Sequence, residues 1–112
     1  RFTFSIALAL LLAAPDVGVA QRFDCARATG ADERAVCGSR ALSDLDEEMA
    51  ELYGDIRRCA LMGTRADVTE GQRTFLDRRA ACGASVPCLR NIYHGRISEL
   101  AKVRADVGQG AC

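Results

Sequence analysis

The sequence predicts an all-α fold: a small disulfide-stapled bundle of three long helices running up, down and up, with a short extra N-terminal helix. Three observations predict it. Leu42, Leu45, Met49, Leu52, Ile56 and Cys59 step by 3, 4, 3, 4 and 3 residues, a heptad seam on one helical face. No run alternates apolar and polar residues with period two, and β-branched residues are sparse, so strand signals are absent. Six cysteines in 112 residues are an even set, which in a short exported chain reads as a disulfide framework.

Residues 1–20 are expected to be a signal peptide. Arg1 opens an apolar run over residues 2–14 in which only Thr3 and Ser5 are polar. Pro15 and Asp16 break it, and Gly18-Val19-Ala20 places small residues at a cleavage site. The run is about a dozen residues, short of the roughly 20 that span a bilayer. Cleavage after Ala20 leaves residues 21–112 as one helical domain, with no stable membrane insertion. Cys25 follows Arg22-Phe23-Asp24 and not small apolar residues, so no lipid anchor is expected.

The helices follow in order. Thr29 with Asp32 resembles an N-terminal cap for a short helix ending at Cys37. Gly38 suits the left-handed position after it, and Ser39 can cap the next helix. That second helix carries the seam inward and Asp44, Glu47, Glu48, Glu51 and Asp55 elsewhere, and should end near residues 62–63. Thr64 with Asp67 caps a third helix, which buries Val68, Phe75, Leu76 and Cys82. Residues 83–87 form a turn, and Pro87 fits the first turn of a fourth helix, where its missing N–H costs nothing. Leu89, Ile92, Tyr93, Ile97, Leu100 and Val103 face inward from it, and it frays toward Gly108 and Gly110.

This topology constrains the cysteines. It sets the end of helix two beside the end of helix four, within reach of a Cys59–Cys112 bridge. Cys82 and Cys88 flank the last turn, and Cys25 and Cys37 remain close together. Six cysteines permit fifteen pairings, and this set asks for no long reach. Its rival crosses one pole, pairing Cys25 with Cys88 and Cys37 with Cys82.

Composition excludes several functions. Fifteen basic residues balance fifteen acidic ones, and removing Arg1 with Asp16 leaves the balance even. Nucleic acid needs a basic excess to displace counterions. With no Trp, and only Phe23, Tyr53, Phe75 and Tyr93 after the leader, no aromatic row can stack bases. The tightest Cys spacing is Cys82 to Cys88 and the only His is His94, a poor zinc set. There is no Gly-rich phosphate loop and no nucleophile elbow, so no cofactor is expected. With every Cys oxidised, His94 has no nucleophile to activate and reads as a solvated surface residue. The chain reads as a binding protein, not an enzyme.

Among candidate site residues, Asp46 and Arg79 are expected to form a partly buried ion pair, with Glu33 a candidate third member. Tyr53 and Tyr93 read as core edges with hydroxyls in water. The acidic residues Asp44, Glu47, Glu48, Glu51 and Asp55 are a candidate surface for a cationic protein, set against the plainer reading of a solvated helix face.

Phe23-Asp24-Cys25-Ala26, Glu33-x-Ala35-Val36-Cys37, Leu42-x-x-Leu45-Asp46 and Tyr53 form the first half of a pattern. Gln72-Arg73-x-Phe75-Leu76-x-x-Arg79-x-x-Cys82, Cys88-Leu89, Tyr93 and Arg96-Ile97-x-x-Leu100 complete it. This resembles the lysozyme-inhibitor LprI-like family of small exported helical domains, over about residues 23–100. The family usually has Trp where Phe75 stands, and Asp or Asn where Ala80 stands. Cys59 and Cys112 lie outside its usual four cysteines, which fits an extra staple. The resemblance implies a periplasmic or secreted protein whose partner is a lysozyme-type peptidoglycan hydrolase. The alternative is a structural or regulatory periplasmic interaction module without lysozyme inhibition.

Overall fold

The computed structural model describes residues 23–108, and every described element is helical. A 3₁₀ turn over Cys25–Arg27 precedes α1 (Ala31–Gly38), α2 (Arg40–Cys59), α3 (Met62–Cys82) and α4 (Val86–Val107). The expected signal peptide and the Cys112 end of the expected third bridge lie outside the described residues.

The α2 seam points inward as its spacing requires. Leu42, Met49, Ile56 and Cys59 are buried, while Leu45 and Leu52 pack at the edge. From α4, Leu89, Tyr93 and Leu100 are fully buried, with Ile92, Ile97 and Val103 beside them. α2 packs most extensively on α4, and α3 adds Val68 and Phe75 to the same core. α1 is joined to α2 through Ser43, whose hydroxyl donates 2.7 Å to the Val36 carbonyl at the end of α1, which also accepts from the Ser39 N–H at 3.3 Å.

The junctions show both agreement and correction. Ser39 caps α2, accepting from the Leu42 N–H at 3.3 Å, and Ser85 caps α4, accepting from Cys88 at 3.4 Å with Pro87 in the first turn. Gly83 ends α3 with φ +55°, a conformation only glycine takes without strain. The expected Thr29 cap does not form. Gly30 is the N-cap of α1, and Asp32 is buried toward Arg79 instead, because a hydrogen bond to a guanidinium outweighs one to a neutral amide. Gly38 is the last helical residue and not left-handed. The single extended residue Ser39, φ −124°, turns the chain and caps the next helix at once.

α3 also begins earlier than its side-chain signals. Its N-cap is Leu61, with no side-chain cap, and Thr64 and Asp67 lie within the helix. A cap contributes only about 1 kcal/mol, and the Arg65 N–H reaches the Leu61 carbonyl at 3.0 Å without one. α2 correspondingly stops at Cys59, before residues 62–63. The expected burial of Leu76 fails as well. Phe75 and Arg79 occupy the inward stripe, and Leu76, about 100° further round the helix, is 41% exposed.

Candidate interaction surface

The residues that carry charge inside the bundle form one connected cluster. Arg79, in the last turn of α3, donates from Nε to Asp32 Oδ2 at 2.8 Å, and its Nη1 stands 4.0 Å from Asp46 Oδ1. Tyr93 donates from its hydroxyl to the same Asp46 oxygen at 2.8 Å. Phe23 covers the guanidinium, with the Arg79 Cζ 5.0 Å from the ring centroid, and Phe75 meets Tyr93 edge-on at 5.1 Å. All four helices thus contribute to one buried polar knot. Buried charges persist only when paired in this way.

Two expectations are corrected here. The third member of the pair is Asp32, not Glu33, which is only half-buried. The Tyr93 hydroxyl is not in water, since the residue is fully buried and bonded to Asp46; Tyr53 does stay half-buried at the edge. Burial first, then the Asp46 charge and hydrogen bond, push the Tyr93 phenol well above its ordinary value of 10.0, with Arg79 pulling the other way. For Arg79, burial lowers the affinity for the proton, but the Asp32 hydrogen bond and neighbouring charge more than offset it, so the guanidinium is held above its usual value.

A second buried guanidinium ties α4 to α3. Arg96 donates to the Val68 carbonyl at 3.0 Å, to Gln72 Oε1 at 3.1 Å and to Glu99 at 3.2 Å. Gly71 makes room for it: a Cβ there would lie 2.7 Å from Arg96 Nη1.

Cys25 is bonded to Cys37 with S–S 2.06 Å, and Cys82 to Cys88 with S–S 1.99 Å. Cys59 is also disulfide-bonded; the expected pairing to Cys112 lies outside the described residues. No described cysteine is a free thiol.

The surface is polarised around α2. Asp44, Glu48 and Glu51 are exposed and Glu47 and Asp55 half-buried, along one side of the helix as the 3- and 4-residue spacing dictates. Asp55 is held by Arg58. Asp44, Glu47, Glu48 and Glu51 engage in no ion pair among the described residues. His94 is exposed.

A feature missed in the sequence lies in the furrow between α2 and α3. Exposed Arg57 and Arg58 close α2, and exposed Arg65 and Arg73 line the facing side of α3. Their spacing held the signal, for Arg65 and Arg73 are two turns apart on one face. A separate opening of about 790 Å³ lies beside Cys59, Val68, Leu100 and Val103, and its rim ends at Val107. Among the described residues no group of three or more His, Cys, Asp or Glu could hold a metal, and no helix is long and apolar enough to cross a membrane. Comparison of the chain with protein-family models, with curated proteins and with solved structures finds no match.

Proposed function

We propose that this chain is an exported, non-catalytic binding protein of the LprI-like kind, whose α2 acidic side docks a cationic lysozyme-type peptidoglycan hydrolase. In this reading residues 1–20 are removed on export to the periplasm or exterior. Residues 21–112 act as one domain, with α2, α3 and α4 running up, down and up and a Cys59–Cys112 staple at the open pole. The observation that carries it is the row Asp44, Glu47, Glu48 and Glu51, unneutralised on the outside of a helix whose inside is locked. Rigid presentation lowers the ordering cost of binding, and complementary charge speeds encounter more than it sets affinity.

The second reading, a structural or regulatory envelope module with another partner, is favoured by a different observation. Asp46, Phe75, Arg79, Tyr93 and Arg96, which carry much of the resemblance, are spent on the interior. Shared interior residues support a shared scaffold and say little about the target. Titration of the oxidised protein into a lysozyme activity assay separates the two. Inhibition that weakens when Glu48 and Glu51 become Lys supports the first, and no inhibition at micromolar protein removes it.

A further inference from the structure

The furrow between α2 and α3 changes character along its length. One section, about 520 Å³, is walled by Phe23, Met49, Ala50, Tyr53 and Leu76. It is open because Leu76 faces outward and α3 packs less closely on α2 than α4 does. Its two charged lining residues besides Arg58, Asp46 and Arg79, are tied into the buried knot. Tyr53, Gly54 and Arg58 are shared with the next section, where Arg57 and Arg65 join them. Arg57 and Arg65 continue in turn toward Arg73 and Thr69.

The arginine end is not neutralised. Arg58 is held by Asp55, and Arg57 lies with its Cζ 5.7 Å from the Tyr53 ring centroid. Among the described residues, Glu70 is the one carboxylate lining the stretch with Arg57, Arg65 and Arg73. Neither Arg65 nor Arg73 has an ion-pair partner among the described residues. Arginine forks are suited to carboxylate and phosphate oxygens.

We infer that this furrow is a binding site for a single-chain anionic amphiphile: an alkyl chain in the Phe23–Leu76 section, and a carboxylate or phosphate head between Arg57 and Arg65. Charge complementarity selects the head. The backbone selects the tail, because both walls are helices whose main-chain groups are already bonded within them. An extended peptide laid there would leave its own N–H and C=O groups without partners, whereas an alkyl chain has none to satisfy. The site does not depend on the proposed partner, and Arg58, held by Asp55, is where it meets the α2 acidic row.

The test is calorimetric titration of the purified oxidised protein with dodecanoate and dodecyl phosphate, each below its micelle concentration. Dodecanol, dodecyltrimethylammonium and inorganic phosphate are the comparison ligands. Binding of either anion with a micromolar dissociation constant supports the site, and the stronger of the two identifies the head. Arg57→Gln with Arg65→Gln should weaken the anions about tenfold with helicity unchanged, and Leu76→Glu, at an exposed position, should abolish tail binding. Equal binding of the cationic amphiphile, or indifference to both variants, overturns the proposal. So does failure of every alkyl anion to bind.

Discussion

Arg79→Met removes the cation that, among the described residues, faces the buried carboxylates of Asp32 and Asp46. Arg79 and Asp32 side chains are each 9% exposed and that of Asp46 is 2% exposed, so water can do little to replace the lost charge. At an effective dielectric near 20, unit charges 4 Å apart attract by about 4 kcal/mol, offset in the intact cluster by desolvation of all its members. Removing a single partner leaves the desolvation cost in place, and the expected loss is about 3–5 kcal/mol. That is a large share of the roughly 5–15 kcal/mol that holds a domain together. Asp32→Asn is milder, because its amide oxygen still accepts from Arg79 Nε and Asp46 remains 4.0 Å away; about 1–2 kcal/mol is expected. Urea unfolding followed by far-ultraviolet circular dichroism, disulfides intact, measures both variants and their double mutant. The cycle should return a coupling of about 1 kcal/mol or more. A loss below about 1 kcal/mol for Arg79→Met, or a coupling of zero, would show that the knot is not a charge-compensated unit.

Gly71→Ala should destabilise by about 1–3 kcal/mol, although alanine favours helix, because the new methyl displaces an Arg96 head held by three acceptors; a stabilised variant, seen as a raised melting temperature, would contradict that fixity. Tyr93 carries a raised phenol, so its contribution to stability is complete below about pH 10 and is lost as pH climbs toward the folded-state value. In Tyr53→Phe protein the phenolate absorbance should therefore stay flat above pH 10 and rise only with unfolding; a rise at constant helicity would argue against the buried Asp46 bond. Replacing Cys25 and Cys37 together by Ser should cost about 3 kcal/mol and replacing Cys82 and Cys88 about 2 kcal/mol, from loop separations of 12 and 6 residues in the chain-entropy picture. Denaturation midpoints check the order, and a larger loss from the shorter loop would assign the effect to native packing.

Much of the scaffold was legible because it rests on local periodicity. The step of 3 and 4 from Leu42 to Cys59 can only be satisfied by a helix with one buried face, and the α4 pattern works in the same way. Ser39, Ser85 and Pro87 announce helix starts through bonds made within a few residues. Two of the misses were decided by a partner far along the chain. Asp32 looked like part of a cap because its competitor, Arg79, lies 47 residues away. Tyr93 looked amphipathic at the surface because Asp46 is equally distant in sequence. Leu76 looked buried on apolarity alone, yet Phe75 and Arg79 set the register of α3. The arginine furrow was overlooked because Arg57 and Arg65 lie on different helices, and only the turn over residues 60–61 brings them to one groove.

The two described bridges join cysteines that are already neighbours along the polypeptide, 12 and 6 positions apart. Closing loops of about ten residues takes on the order of 10–100 ns, far faster than thiol oxidation itself. Each sulfur therefore meets its correct mate repeatedly before any other, even in a chain with no tertiary order. A nascent polypeptide emerging from its N-terminal side could seal the ring around α1 before α3 had been made. These two bridges should re-form from the fully reduced state with little shuffling and little need of an isomerase.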